Sequence, residues 1–241
     1  MLYFADLHIH SHRSLATSSN LTPEHLHLWG IKKGIQLIGT GDFTHPAWLE
    51  ELSEKITPAE NGFYNLKEAY ILPEAKIYQA SSPQFVPSAE ISNIYKKNGR
   101  VRKVHNILLS PDLQTAALIQ AKLQALGFNI RSDGRPILGL DSRDLFELVL
   151  SINPACILIP AHIWTPWFSA LGASSGFDSI AECYGDLTQH IFAVETGLSS
   201  DVPMNRILSQ LDAFTLVSNS DAHSPEKLGR HANLIHGECS W

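Results

Sequence analysis

Short apolar runs recur along this chain, and several are followed by longer stretches in which apolar residues return at helical spacing. The runs predict seven strands, at residues 2–7, 36–40, 84–91, 104–109, 155–161, 191–196 and 214–218. A helix is predicted to start at Thr22-Pro23-Glu24, with Thr22 as N-cap and proline in the first turn, and to stop at Gly34 after Lys32-Lys33. Further helices are predicted at residues 47–56, 112–126, 141–151, 179–183 and 203–211, whereas residues 61–82 show no clear period. The strand-then-helix rhythm argues for an α/β fold with a parallel sheet. Seven strands suit a (β/α) barrel slightly smaller than the eight-stranded type. No repeat, low-complexity segment or linker divides the chain, so residues 1–241 read as one domain.

The polar residues that break this pattern are mostly histidines and carboxylates at strand ends. Asp6-Leu7-His8-Ile9-His10 closes the first apolar run, and Asn219-Ser220-Asp221-Ala222-His223 follows the last. Side chains alternate along a strand, so residues two apart aim the same way. Asp42, Glu90, His105, His162 and Glu195 fall on or just after the intervening strands. In an α/β barrel the chemistry gathers at the C-terminal face, where the loops converge. Imidazole and carboxylate suit zinc, iron and manganese. His25-x-His27 lies inside a helical pattern, where residues two apart diverge, and reads as a surface pair.

Charge and cysteine content narrow the picture. The formal net charge of −6 is not that of a general nucleic-acid coat, although it permits a local basic patch. One such patch exists: Lys96, Lys97, Arg100, Arg102 and Lys103 crowd an arm around Asn98-Gly99, a preferred hairpin turn, just before His105. It reads either as a solvated face or as a phosphate-tracking arm. Cys156, Cys183 and Cys239 are far apart and form no Cys-x-x-Cys, so neither a zinc ribbon nor a disulfide framework is expected. No apolar run is long enough to span a membrane and no signal peptide is evident, which makes the cytoplasm the expected compartment.

Six strings carry a resemblance. Asp6-Leu7-His8-Ile9-His10-Ser11, Gly39-Thr40-Gly41-Asp42, Ala89-Glu90-Ile91, Val104-His105-Asn106, Pro160-Ala161-His162 and Ser220-Asp221-Ala222-His223 resemble the motifs of the PHP (polymerase and histidinol phosphatase) superfamily. More narrowly, Thr165-Pro166-Trp167, Glu195-Thr196-Gly197-Leu198-Ser199, and the stretch from Ser218 to Pro225 with Leu228-Gly229-Arg230 are similar to endonuclease Q and its bacterial relatives. The resemblance implies a distorted seven-stranded (β/α) barrel holding two or three divalent metal ions, zinc, manganese or iron. By motif, His8, His10, Glu90 and Asp221 would hold one ion. Glu90 would bridge to a second held by His105 and His162, and Asp42 and His223 would help hold a third. Thr40-Gly41-Asp42 stands where Thr-Asp-His is usual, so His45 or His12 is an alternative contributor there.

The same resemblance implies a DNA endonuclease that nicks on the 5′ side of deaminated bases or abasic sites, with damaged DNA as its partner. The family's further C-terminal region, which helps grip DNA, has no counterpart before Trp241. Asp6 reads either as an acceptor orienting a ligand imidazole or as a strand-end turn residue. Glu195 is expected to contact metal, support a ligand or face substrate, and Arg230 to contact a phosphate. Trp164, Trp167 and Phe168 follow His162 and either stack on a base or pack a loop. Two other readings stand beside the nuclease: a small-molecule phosphomonoesterase of the histidinol-phosphatase type, and a non-catalytic module stabilised by metal.

Overall fold

The computed structural model describes residues 2–241. Its elements run β1 (Leu2–Asp6), α1 (Pro23–Lys33), β2 (Leu37–Gly39), α2 (Pro46–Lys55), β3 (Ile56–Pro58), β4 (Tyr64–Leu66) and β5 (Gln84–Val86). Then come β6 (Ser88–Lys97), β7 (Arg100–Leu109), α3 (Leu113–Ala125), β8 (Ile137–Leu138), α4 (Ser142–Ile152) and β9 (Ile157–Pro160). α5 (Ile180–Tyr184), β10 (Ala193–Glu195), α6 (Val202–Arg206), β11 (Thr215–Val217) and β12 (Asn233–His236) follow.

The seven predicted strands are all present. β3, β4, β8 and β12 were not predicted, because runs of two to four residues carry no readable period. The helix expected over residues 203–211 is the short α6 followed by a 3-10 turn, Ser209–Ala213. Local chemistry sets the helix ends. Thr22 is extended ahead of Pro23, and Gly34 closes α1 at φ 69°, with its N–H on the Gly30 and Ile31 carbonyls. Asp112 caps α3 by accepting from the Thr115 N–H, and Asp141 caps α4 by accepting from that of Arg143. His27 faces inward and is buried, so the reading of His25 and His27 as a surface pair does not hold for it.

The fold is mixed α/β, and its strands hydrogen-bond in three sheets. One runs β12-β1-β2-β5-β4-β3, one β8-β6-β7-β9, and the third pairs β10 with β11. β1, β2 and β5 are parallel, as are β10 and β11. β7, however, is antiparallel to both β6 and β9, so the expectation of a wholly parallel sheet fails there. The reason is the turn. Asn98 and Gly99 both take positive φ, 53° and 73°, and reverse the chain directly into a hairpin with no crossover helix.

Nor do the ladders form one continuous closed barrel. At the seams between sheets they give way to isolated bonds. Phe43 N–H donates to the Ser88 carbonyl, Ile163 N–H to that of Glu195, Asp221 N–H to that of His8, and His10 N–H to that of Ala222. Side chains bridge the same seams. Ile107, Leu109, Ile159, Ala161 and Ala193 form one buried cluster, with Leu7 and Val217 packed against it. Residues from β7, β9 and β10 thus meet the ends of β1 and β11 in one apolar interior. The larger clusters lie outside, under α1 and α2 (Leu26, Trp48, Leu52) and under α3, α4 and α5 (Ile119, Phe146, Tyr184). No helix among the described residues is long and apolar enough to cross a membrane.

Candidate metal centre

β1, β2, β9, β10 and β11 all point their C-terminal ends at one mouth, and the residues at or just beyond those ends are His8 and His10, Asp42, His162, Glu195 and Asp221. Glu90 and His105 arrive differently. They lie inside the long β6–β7 hairpin, with Ser92 opposite His105 in the register. β6 continues outward past Glu90, so the basic turn stands several residues beyond the mouth, at about 3.3 Å per residue.

Two groups of donor atoms form. His8, His10 and Asp221 make one, and Glu90, His105 and His162 the other, with the donor atoms of each group within 4.8 Å of one another. Glu90 joins them. Its Oε1 lies 2.7 Å from His105 Nδ1, 3.1 Å from His162 Nε2 and 3.5 Å from His8 Nε2, while Oε2 lies 3.4 Å from His10 Nε2. Asp221 Oδ1 is 3.1 Å from His10 Nε2 and 3.7 Å from His8 Nε2.

The imidazoles are fixed from behind. His8 Nδ1–H donates to Glu195, at 3.0 and 3.1 Å to its two oxygens. His10 Nδ1–H faces Asp42 Oδ1 at 3.3 Å. The Thr165 hydroxyl donates to the Trp167 carbonyl at 2.9 Å, which leaves it to accept from His162 Nδ1–H at 3.0 Å. Each of these contacts places the proton on Nδ1 and turns the Nε2 lone pair inward, as supporting partners of metal-bound histidines do. His8 Nε2 is buried and has no hydrogen-bond partner. A buried ring nitrogen without a hydrogen-bond partner among carboxylates is costly in an empty core and suited to a cation, a proton or a metal ion. The donor set therefore fits divalent metal, with three inward imidazole nitrogens, the His105 nitrogen and two carboxylates converging.

The electrostatics agree. Burial opposes charge on His8, yet Glu195, Glu90 and Asp221 together hold its imidazole well above the ordinary value. Burial likewise opposes charge on His10, but hydrogen bonds to Asp221 and Asp42 carry it up to about 9. Glu90 is held well below the carboxylate range despite burial, by His105 and His8, and Asp221 is drawn down to about 2 despite burial, mainly by His10. Asp42, His162 and Asp221 all have positive φ, 53°, 26° and 49°. Such conformations cost of order 1–3 kcal/mol and concentrate at functional sites, although aspartate tolerates them better than most residues.

Neither donor group includes Asp42 or His223, expected to help hold a third ion, or the alternatives His12 and His45. Asp42 is engaged by the turn that follows His10. Its Oδ2 accepts from the Ser11 N–H and from the hydroxyls of Ser11 and Ser14, at 2.7, 2.6 and 2.8 Å, so that oxygen is saturated. His223 stands edge-on to His10, with ring centroids 4.5 Å apart, and its Nδ1 donates to the Asp221 backbone carbonyl. His12 turns to Glu51, and His45 Nε2 to the Arg131 carbonyl, away from the donor groups. Asp6 does not orient an imidazole either. Its two oxygens accept from the Ser220 and Gly229 N–H groups and pin the β11 loop, and burial raises its carboxyl to about 6. Arg230 serves the same loop, donating to the Ser220 and Asp221 carbonyls.

The basic arm divides in two. Arg102 is buried, donates to the Gly176 carbonyl and lies over Phe177 at 4.2 Å. Lys97 pairs with Asp141 at 3.0 Å and donates to the Cys183 carbonyl. Both hold the hairpin onto the protein and are not free for phosphate. Lys96 and Arg100 are exposed at the turn. Lys103, two residues before His105 on the same face, sits 4.9 Å above the ring of the exposed Trp167. Trp167, Phe168, Leu198, His105, His162 and Glu195 line part of a cavity of about 360 Å³ that opens onto the donor groups. Trp164 packs instead, donating to Asn205 Oδ1.

Two site residues escaped sequence reading. Asn219 accepts from the Leu7 N–H and donates to Glu195, tying β1 to β10 through one amide. Arg135 donates from Nη1 to Glu90 Oε2 at 3.2 Å. It stands in Asp133-Gly134-Arg135-Pro136, which reads only as a turn, and no periodic element marks what it faces.

Comparison with known proteins gives the architecture a context. No family model matches the chain. An uncharacterised Bacillus subtilis protein, YqxK, is 28% identical over 255 residues, covering 97% of this chain and 58% of its own. An uncharacterised Methanocaldococcus jannaschii protein is 28% identical over 182 residues, 76% of this chain and 19% of its own. Among solved structures, the lesion-specific endonuclease PfuEndoQ of Pyrococcus furiosus aligns over all of this chain and 54% of its own, with 30% identity and a TM-score of 0.81. An endonuclease Q complex with duplex DNA, an abasic lesion at its active site, aligns at 31% identity and a TM-score of 0.82, over 55% of that chain. A Bifidobacterium adolescentis protein assigned as a metal-dependent phosphoesterase shares the fold at 12% identity and a TM-score of 0.58. The chain spans less than two thirds of the curated relatives and about half of each endonuclease Q, and its fold is one shared by endonuclease Q and by metal-dependent phosphoesterases.

Proposed function

We propose that this chain is a metal-dependent phosphoesterase that nicks DNA on the 5′ side of deaminated bases or abasic sites, with residues 1–241 acting as one catalytic unit. The observation that carries the reading is the pair of donor groups joined by Glu90, opening directly into an aromatic-walled cavity with Lys103 at its rim. His8, His10 and Asp221 would hold one ion, His105 and His162 another, and Glu90 both. When bound, such ions polarise phosphoryl oxygens and acidify water.

The protein's own part is positioning. Glu195, Asp42 and Thr165 keep His8, His10 and His162 in the tautomer that presents Nε2 to the centre. Asp6 and Arg230 hold the Ser220–Asp221 backbone, so they act on the centre through the loop that carries Asp221. Lys96, Arg100 and Lys103 follow the phosphates along the hairpin, and Trp167 offers a face on which a base stacks. The 30–31% identity to endonuclease Q over the whole chain supports DNA as the substrate class. The cavity of about 360 Å³ also suits a small ligand, and this favours a phosphomonoester as the second reading.

The test uses metal-loaded protein on oligonucleotides containing hypoxanthine, uracil or an abasic site, with a chromogenic phosphomonoester assayed in parallel. Nicking 5′ to the lesion is expected. It should be faster on single-stranded than on duplex DNA, because extruding a base costs a few kcal/mol in a duplex. His8→Ala, His105→Ala and Asp221→Ala should each abolish it. Retained cleavage in all three would identify a contaminating nuclease, and phosphomonoester hydrolysis without nicking would establish the second reading.

A further inference from the structure

We infer that Arg135 is a substrate-contacting residue whose guanidinium receives a non-bridging oxygen of the phosphate, beside Glu90. The inference rests on the phosphoesterase part of the reading above and goes beyond its DNA specificity. Among the described residues, Arg135 is the one lysine or arginine that pairs with a carboxylate of the donor groups; every other partner of those carboxylates across an ion pair is a histidine.

Only one face of the guanidinium is used. Nη1 donates to Glu90 Oε2, while Nε and Nη2 have no protein acceptor among the described residues, and the side chain is 30% exposed. Arginine carries a planar fork of donors that matches two oxygens of one phosphate. Here half of that fork is held by Glu90 and the rest is open to solvent.

The loop that delivers Arg135 is built for this position. Gly134 passes so close to the centre that a Cβ there would collide with Asp42 Oδ2 and Ser14 Oγ. Its N–H donates to the Arg13 carbonyl at 3.0 Å. Asp133 Oδ1 accepts from the Leu15 and Arg135 N–H groups, both at 3.1 Å, and the Pro136 carbonyl accepts from Ser92 N–H on β6. The loop is therefore stitched on one side to the turn that follows His10 and on the other to the strand that carries Glu90.

A charge count gives the reason. Asp42, Glu90, Glu195 and Asp221 place four carboxylates in or against the centre. Two divalent ions would balance these and leave no surplus for an anionic phosphoester. Arg135 adds that surplus beside Glu90.

The experiment is calorimetric titration of inorganic phosphate into metal-loaded wild-type, Arg135→Ala and Arg135→Lys proteins, each with its metal content and thermal unfolding measured first. Arg135→Ala should keep its metal and its unfolding temperature, and lose about tenfold or more in phosphate affinity, the scale of a hydrogen bond to a charged group. Arg135→Lys should recover only part, because a point charge replaces the fork. Equal phosphate affinity in Arg135→Ala, or wild-type protein that loads metal yet binds no phosphate, would overturn the assignment. A loss that merely tracks reduced metal content would also overturn it, by showing that Arg135 only holds Glu90. Absence of DNA nicking alongside the expected phosphate result would remove the nuclease reading alone, whereas failure to load metal would remove both.

Discussion

Glu195→Gln isolates the role of a carboxylate that touches no other acid and yet orders the centre. Glu195 is buried, and both oxygens accept. Oε1 takes Asn219 Nδ2–H at 2.8 Å and Oε2 takes the His162 N–H at 2.8 Å, while His8 Nδ1–H lies near both. Glutamine keeps the shape but replaces one acceptor with a donor. Whichever way its amide turns, an N–H group faces either Asn219 or the His162 backbone, and His8 loses its charged partner. A buried hydrogen bond to a charged group contributes roughly 1.5–3 kcal/mol, and leaving a donor unsatisfied adds a cost of similar size. The metal-free protein should therefore lose about 3 kcal/mol of stability. His8 also loses its fixed tautomer, and removing such a supporting partner typically weakens metal affinity by about 10–100-fold. Competitive chelator titration with zinc or manganese measures the affinity, and denaturant unfolding of metal-free protein measures the stability. Wild-type values for both would refute the claim that Glu195 orients His8. Unchanged stability with lost affinity would instead make Glu195 a direct ligand.

Further outcomes concern the hairpin and pH. Replacing Lys96, Arg100 and Lys103 by serine should weaken DNA binding and reduce the slope of log affinity against log salt by up to about 0.9 per lost phosphate contact, whereas Arg102→Ser should destabilise the fold by about 1.5–3 kcal/mol through its Gly176 bond; an unchanged slope in the first variant, read from fluorescence anisotropy, would remove the hairpin from DNA binding. The metal-free protein should lose stability between pH 6.5 and 9, because the folded-state pKa of His10 is raised to about 9, so its contribution is fully present below the unfolded value and is lost as pH rises through the folded one; metal affinity should rise over the same window as protons leave the imidazoles, and thermal scans showing no divergence between metal-free and metal-loaded protein would refute this.

Much of the site is legible in the sequence because strand ends in a parallel arrangement converge whatever the loops do. His8, His10, His162 and Asp221 were nameable from an apolar run followed by a ligand-type side chain; Glu90 and His105 were named from their strands too but reach the same place from within the antiparallel hairpin, and the structure brings all six together. Gly34 as the stop of α1 was equally local, since its closure depends on backbone carbonyls three and four residues back. Only the tertiary structure decided direction and partnership. Asn98-Gly99 marked a hairpin in the sequence while the strand-then-helix rhythm argued for a parallel sheet, and only the pairing of β7 antiparallel to both β6 and β9 decided between the two. The basic residues beside that turn looked equivalent in the chain, and burial against Phe177 and Asp141 separated Arg102 and Lys97 from Lys96, Arg100 and Lys103. Asp6 and Asp42 share the chemistry of a ligand, but their lone pairs go to donors on loops far away in sequence, which no spacing rule encodes. Arg135 was invisible for the same reason. Its meaning lies in a contact with Glu90 across 45 residues, set by a loop whose sequence specifies only that the chain must turn.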